Sequence, residues 1–337
     1  MARDAADADS AGRNGEMAKA EICSVESKVK KLVQSWGLSR FSECMARQWL
    51  ERLLSAHGDP DESESSKDKH ENAPDPLLRL REWVLTQLGQ QNLPEGASPR
   101  QHEDPDMIPL LRAQSVWDCS EFPWMQALQS AFPVIKRELL VLMDKHNYQP
   151  FRAPSWASSI SAKDGLESAD HDARDWNVFY LFQHKADFKK NRSLCPKTVV
   201  AIEAIGGDHC DHALFSSLGH HTRHVKRRQG TTNKKLQCYL PLVLPKGICH
   251  VHVGEQIIAL HEGKCFLFDD SLEHEAWNDD ASSSSIVLII DVWHPDLSSQ
   301  ERRFLRFLRN SRLPVGKSQS EQWTQAASST SKAAMWS

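Results

Sequence analysis

With 337 residues, the chain is long enough to bury one large core or two modest ones without disulfide staples. Its 41 Lys and Arg nearly balance its 45 Asp and Glu, and the net charge of −4 argues against bulk electrostatic binding to nucleic acid or membrane. No run approaches about 18 apolar residues and the first residues lack an apolar segment, so neither a membrane span nor a secretory signal is predicted. Eight scattered cysteines without a CxxC pair indicate reduced thiols in an intracellular, soluble, cytoplasmic protein.

The N-terminal part of the sequence predicts helices separated by polar segments. Apolar residues recur at helical spacing on both sides of Gly37, which predicts two short amphipathic helices. A further apolar stripe predicts a helix over Leu77–Leu88, and Pro123–Met143 is expected to be helical with Pro133 as a kink or boundary. In chain order we expect a disordered leader at 1–20, short helices at 21–57, a linker with one helix at 58–121, a domain at 122–310 that begins with a helix at 123–143, and a disordered tail at 311–337.

Beyond residue 150 the pattern changes to short β-type runs that alternate with turn signals. These runs are Trp176–Phe182, Thr198–Ile205, Leu236–Leu244, His250–Val253, Gln256–Leu260, Cys265–Asp269 and Ser285–Val292. Evenly spaced short strands favour a sandwich or closed roll over βαβ units. We therefore expect an α+β chain in which a β-roll over 150–310 follows a helical N-terminal region.

Histidines are concentrated in the β-rich part of the chain. Nine of the 16 fall between His209 and His274, and clustered imidazoles on strands suit iron or zinc. The spacing His250-x-His252 would also place two imidazoles on one face of a strand, as in cupin-type metal sites. Asp270 and Glu273 are interpreted as turn and surface residues and not as acid–base groups.

Two long motifs point to a known family. FDDSLEHEAW covers Phe268–Trp277 and DVWHPDLS covers Asp291–Ser298. Both resemble the C-terminal core of the aspartyl/asparaginyl β-hydroxylase family, and weaker similarity extends over about 122–310. The resemblance implies an iron(II)- and 2-oxoglutarate-dependent dioxygenase on a double-stranded β-helix, a cupin-like jelly roll. It also implies hydroxylation of an aspartyl or asparaginyl side chain of a protein, or of a related small-molecule substrate.

The resemblance assigns metal ligands, and one of them is replaced. His274 matches one histidine ligand of the family. The other ligand is matched by Arg228, which cannot bind a metal because its guanidinium is always protonated. His224 in the same segment is the candidate substitute ligand.

The positions that hold 2-oxoglutarate in the family are also altered. An arginine and a histidine on one strand are matched by Gln237 and Tyr239, and a second arginine is matched by Ser285. Ser216 and Lys235 complete the candidate cofactor-binding set, with Lys235 offering a point charge two residues before Gln237. A carboxylate normally pairs with a cation that binds it through two hydrogen bonds, and Gln and Ser provide none.

Two functions therefore stay open. One is a hydroxylase-like dioxygenase whose activity is retained, reduced or lost. The other is a catalytically inactive β-roll that binds an anionic ligand or a partner protein, with Arg228 and Lys226 as the anion-binding residues. The basic run around Arg228 is otherwise a solvated loop, and neither a membrane nor a nucleic acid is the expected partner.

Overall fold

The computed structural model describes residues 26–55, 75–89, 106–144, 151–152, 176–184, 187–220, 222–223, 232–245 and 249–312. Helices α1 to α8 span 26–35, Arg40–Ser55, Leu78–Gln87, Trp124–Ser130, Phe132–Asp144, Lys189–Leu194, Pro196–Glu203 and Ser299–Ser311. Strands β1 to β11 span Val116–Trp117, Phe151–Arg152, Trp176–Phe182, His209–Leu218, Thr222–Arg223, Lys235–Val243, Cys249–Val253, Gln256–Ala259, Phe266–Phe268, His274–Asn278 and Ser285–Trp293. The leader predicted at 1–20, residues 58–74 of the linker and the tail from 313 lie outside the described residues.

The chain divides into a helical unit and a barrel unit. The described residues of 26–89 and 298–312 form the helical unit, and those of 106–297 form the barrel unit. None of the described helices has the length and apolar character needed to cross a bilayer.

Aromatic stacking holds the helical unit together. Trp36 stacks on Trp83 with ring centroids 5.8 Å apart, and Trp49 stacks on Phe304 at 3.7 Å. Such pairs stabilise a core beyond the apolar area that they bury. The break between α1 and α2 falls at Gly37, which has a φ of +63° that L-residues with a side chain rarely adopt. The two helices predicted on either side of Gly37 are therefore confirmed.

Helix α8 packs in the helical unit, although the sequence pattern included it in the domain at 122–310. Its start is fixed by a capping box in which the Ser298 hydroxyl accepts from the Glu301 backbone N–H and the Glu301 carboxylate accepts from the Ser298 N–H. Its buried stripe includes Phe304, Leu305 and Leu308. Phe304 of that stripe contacts Trp36, which follows α1, and Trp49 of α2, so tertiary packing and not chain position decides where α8 belongs.

The barrel unit is built from two antiparallel sheets. The major sheet has the strand order β1-β9-β6-β11-β4-β3-β2, and the minor sheet has the order β5-β10-β7-β8. Val251 and Val253 of the minor sheet share one apolar cluster with Phe268 and Tyr239 of the major sheet, so the sheets face each other. These two facing sheets confirm the expected double-stranded β-helix within an α+β chain.

Most of the predicted strands are confirmed to within one residue at each end. The exception is the run predicted at Thr198–Ile205, which is helix α7. Pro196 occupies the first turn, where a missing N–H costs nothing. The Glu138 carboxylate of α5 accepts hydrogen bonds from the Lys197 and Thr198 backbone N–H groups, both at 2.8 Å. A cap supplied from 60 residues away overrides the β-branched local sequence, so the strand prediction was wrong here.

Helices α4 and α5 cover the outer face of the major sheet. Met125, Leu128, Ile135 and Leu139 pack in one core with alternate residues of β4, β6 and β11. The helix predicted over Pro123–Met143 is confirmed in two pieces, and Pro133 lies at the start of the second. The opposite face of the major sheet is thereby left to line the space between the sheets, and we call it the inner face.

Candidate functional site

Strand alternation decides which side chains reach the inner face. On β6, Leu236, Cys238 and Leu240 belong to the core beneath the helices. The intervening residues Lys235, Gln237 and Tyr239 therefore point to the inner face. In register they pair with Trp293, Asp291 and Ile289 of β11, which share that face. The inner face thus has a charged end at Lys235 and an uncharged end beyond Tyr239.

A cavity of about 80 Å³ lies at the uncharged end, between the two sheets. Four predicted site residues line it: Ser216, Tyr239, His274 and Ser285. Apolar side chains such as Val287 form much of the remaining lining, and His250 and Glu275 of the minor sheet also border the cavity. The space is sufficient for a few water molecules or a small ligand group. Residues from β4, β6, β10 and β11, distant in sequence, are brought together here by the closure of the barrel.

His274 is held in one orientation by the backbone. Its Nδ1 lies 3.0 Å from the carbonyl oxygen of Leu272, and a carbonyl can only accept, so Nδ1 carries the proton. In the neutral imidazole, Nε2 then has the lone pair. Histidines that bind metals are commonly oriented in this way by a hydrogen bond from the other ring nitrogen. The described geometry of His274 is therefore suited to one metal bond.

The remaining residues of the cavity fit the expected cofactors less well. Among the described residues, no cluster of three or more His, Cys, Asp or Glu side chains is arranged to hold a metal ion. No Lys or Arg side chain within the described part of the chain lines the cavity. Hydroxyl groups alone do not offset the cost of moving a dicarboxylate out of water. The described cavity thus fits one imidazole–metal bond but does not fit 2-oxoglutarate.

Three predicted residues cannot be placed at the cavity. His224, Lys226 and Arg228 lie outside the described residues. The roles assigned to them, as second metal ligand and as anion-binding cations, stay predictions.

Lys235 and Gln237 lie at the charged end of the inner face, where both meet carboxylates. Lys235 Nζ lies 2.6 Å from Asp291 Oδ2 and 3.3 Å from Asp270 Oδ2. Gln237 Nε2 donates to the same Asp270 Oδ2 at 3.0 Å. His212 Nδ1 lies 3.1 Å from Asp291 Oδ2. The groups expected to hold a cosubstrate carboxylate are thus paired with carboxylates of the protein itself.

Asp270 and Asp291 are functional candidates that the sequence reasoning missed. Asp270 lies in a turn as predicted, but the prediction that it is a surface residue is wrong because it is only 5% exposed. Asp291 is 4% exposed and lies directly opposite Gln237 in the ladder. Counting by twos along β11 from Ser285 would have placed Asp291 on the inner face.

The two buried charges shift each other's pKa. Burial raises the pKa of Asp291, but the Lys235 ammonium and His212 lower it more, so it lies well below its usual range. Burial lowers the pKa of Lys235, and the Asp270 and Asp291 carboxylates raise it well above its ordinary value. Both groups are therefore ionised at neutral pH, as a buried ion pair requires.

The pair His250 and His252 lies on the other face of the minor sheet. His274 pairs directly with Val253, whereas His252 pairs with Glu275 and His250 with Trp277. Directly opposed residues share a face, so both imidazoles point away from His274. The His252 ring instead lies 3.3 Å from Glu275 Oε1. This arrangement argues against a cupin-type site built from all three histidines.

Comparisons with known proteins agree with this fold. The family described as Aspartyl/Asparaginyl beta-hydroxylase matches residues 129–295. The aspartyl/asparaginyl beta-hydroxylase of Mus musculus is 34% identical over 206 residues, covering 58% of this chain and 25% of that protein. The ornithine lipid ester-linked acyl 2-hydroxylase of Rhizobium tropici is 30% identical over 183 residues, covering 53% of this chain and 60% of that protein.

A solved oxidoreductase of the 2OG-Fe(II) oxygenase family from Burkholderia pseudomallei shares 9% identity and a TM-score of 0.28, covering 36% of this chain and 69% of that one. A similarity this low supports no conclusion about function.

The facing sheets and the cavity between them define a double-stranded β-helix domain. Residues 129–295 match the aspartyl/asparaginyl β-hydroxylase family. The chain spans a quarter of the length of the mouse relative and 60% of the bacterial one. The reaction and substrate of those proteins therefore do not follow from the match alone.

Proposed function

We propose that this hydroxylase-like domain binds a small ligand in the cavity around His274 and turns over 2-oxoglutarate very slowly or not at all. The observation that carries the proposal is the lining of the cavity. Within the described residues the lining contains His274, His250, Glu275 and three hydroxyl groups beside apolar walls, with no Lys or Arg. Such a lining favours a neutral polar ligand group or an apolar one over a dicarboxylate.

The basic run that was expected to bind an anion is separate from this argument. Lys226 and Arg228 lie outside the described residues, and Lys235 is paired with Asp291 and Asp270. An anionic ligand or a partner protein at that basic run remains a proposal that rests on the sequence alone.

A second candidate function is an active iron(II)- and 2-oxoglutarate-dependent hydroxylase acting on a protein side chain or a lipid-like substrate. One observation favours it. The hydrogen bond from His274 Nδ1 to Leu272 presents Nε2 in the form that a metal ion binds. His274 would hold the iron, His224 would supply a second imidazole, and the cofactors when bound would provide the oxidising chemistry.

None of the seven described cysteines is in a disulfide bond, which supports the further proposal of a cytoplasmic location. A reducing compartment would keep these thiols unpaired.

Anaerobic titration of the full chain with Fe(II), followed by succinate measurement with 2-oxoglutarate, separates the two candidates. We expect weak Fe(II) binding that His274→Ala abolishes, and succinate release far below about 1 s⁻¹. The matched control His261→Ala alters an exposed histidine outside the cavity and should change neither result. Succinate release at about 1 s⁻¹ or faster would establish the hydroxylase and reject the binding module. Fe(II) binding unaffected by His274→Ala would remove His274 from both.

A further inference from the structure

Two hydrogen-bond donors converge on one carboxylate oxygen at the charged end of the inner face. Gln237 Nε2 donates to Asp270 Oδ2 at 3.0 Å, and Lys235 Nζ lies 3.3 Å from the same oxygen. Both donors come from the inner face of β6, two residues apart. A cation and an amide that converge in this way form the arrangement by which proteins bind a carboxylate.

Asp270 reaches these donors from a turn and not from a strand. The turn follows β9, and Asp269 fixes it because its Oδ1 accepts from the Ser271 backbone N–H at 2.9 Å. The Asp269 backbone N–H also donates to the Ser115 carbonyl at 3.3 Å. The backbone of the turn is thus held by its neighbours, and the Asp270 side chain is not needed to close it.

The Asp270 carboxylate is incompletely satisfied. Its Oδ1 is buried and makes no hydrogen bond to any described residue. A buried polar atom without a hydrogen bond costs free energy. A ligand carboxylate whose two oxygens are both hydrogen-bonded can therefore displace the Asp270 side chain at a small cost in free energy. Lys235 keeps 26% of its side chain exposed, so solutes can approach this end of the barrel.

We propose that Lys235 and Gln237 form a latent carboxylate-binding site, which the folded chain fills with the side chain of its own Asp270. The ligand class is a small carboxylate, or the carboxylate end of a larger molecule. The site would give a role to Gln237, which matches a cosubstrate-binding position, and to Lys235 two residues before it, while the cavity lacks a described cation. In the native chain Asp270 competes with any external carboxylate for the same donors.

The test removes the internal carboxylate and supplies an external one. In Asp270→Ala of the full chain, acetate and formate should raise the melting temperature in a saturable way. We expect a rise of about 2–4 °C at ten times the dissociation constant. Sodium chloride at equal ionic strength should give no such rise, because chloride does not match the two-donor geometry of a carboxylate.

Three matched variants make the result specific. Asp270→Asn fills the same space with an amide and should show no acetate response, and neither should the native chain. Lys235→Met combined with Asp270→Ala should lose the response. Glu273→Ala, three residues along the same segment and exposed, should behave as the native chain does.

The proposal is overturned if folded Asp270→Ala does not respond to acetate or formate, or if it responds equally without Lys235. If Asp270→Ala does not fold, Asp270→Ser is titrated with formate, and the absence of a response there has the same meaning. The measurement involves neither iron nor 2-oxoglutarate and leaves His274 intact. Its outcome is therefore independent of whether the cavity binds metal or turns over a cosubstrate.

Discussion

The two ends of the inner face are built on the same strands but differ in their side chains: one end lines an open cavity and the other is filled by an ion pair. At the His274 end, β6 and β11 contribute Tyr239 and Ser285, and the cavity stays open. Four to six residues further along the same two strands, Lys235 and Asp291 form a closed ion pair. The register of β11 shifts against β6 between Ile286 and Val287 and against β4 between Ile290 and Val292, so the two ends differ in side chains and also in local strand pairing. The comparison shows that the Lys235 charge is neutralised by carboxylates of the protein itself, while no described Lys or Arg lines the cavity.

The largest effect should come from breaking the ion pair. We expect Asp291→Asn to lower the free energy of unfolding by about 3 kcal/mol, because the half-buried Lys235 would remain charged with Asp270 as a more distant partner. Urea unfolding measures the change. Glu255→Gln, at an exposed position, should stay within about 0.5 kcal/mol of the native chain. A loss below about 1 kcal/mol for Asp291→Asn would mean that solvent screens this end of the barrel.

The same pair predicts how stability depends on pH. The pKa of Asp291 is lowered in the folded chain, so its contribution is fully present above the ordinary Asp pKa of about 3.9. That contribution is lost as the pH falls through the folded pKa. Between pH 5 and pH 2 the native chain should lose about 2 kcal/mol more stability than Asp291→Asn. Parallel curves for the two proteins in urea unfolding at each pH would contradict the pairing.

At the other end, removing the imidazole should cost far less. His274→Ala loses one neutral hydrogen bond to the Leu272 carbonyl and the contact with the Phe268 ring 5.4 Å away. We expect a loss of about 1 kcal/mol, measured by urea unfolding. A loss comparable to that of Asp291→Asn would show that His274 is part of a structural network and would erase the contrast between the two ends.

The smallest effect should come from a hydroxyl of the cavity wall. Ser285 is buried and its hydroxyl contacts the Cys249 thiol. Because both groups are neutral, Ser285→Ala should cost no more than about 1 kcal/mol in a thermal-melt or urea experiment. A cost above about 2 kcal/mol would mean that hydrogen bonds of Ser285 contribute nearly as much to the free energy of unfolding as the ion pair at the charged end.

Local sequence patterns predicted most of the fold because the relevant forces are local. The run Trp176–Phe182 became β3 at the predicted residues, and Gly37 separates α1 from α2 at a positive φ. Strand alternation also put Lys235 on the same face as Gln237, whereas Tyr239 and Ser285 were assigned through the family resemblance. The resemblance to family motifs predicted that His274 belongs to the same site. Residue spacing along one sequence could not have shown that His274 lies close to Tyr239 and Ser285.

The remaining features depended on partners distant in sequence. Helix α7 exists because Glu138 caps it from another helix, and α8 joins the helical unit because Phe304 stacks on Trp49. The sequence by itself determined six of the strands and the barrel, but it did not predict β4 or the inward-facing Asp270 and Asp291. Only the tertiary structure decided that Lys235 is paired with Asp291 and Asp270, because charge pairing in a low-dielectric interior depends on which carboxylates the folded chain brings within about 3 Å.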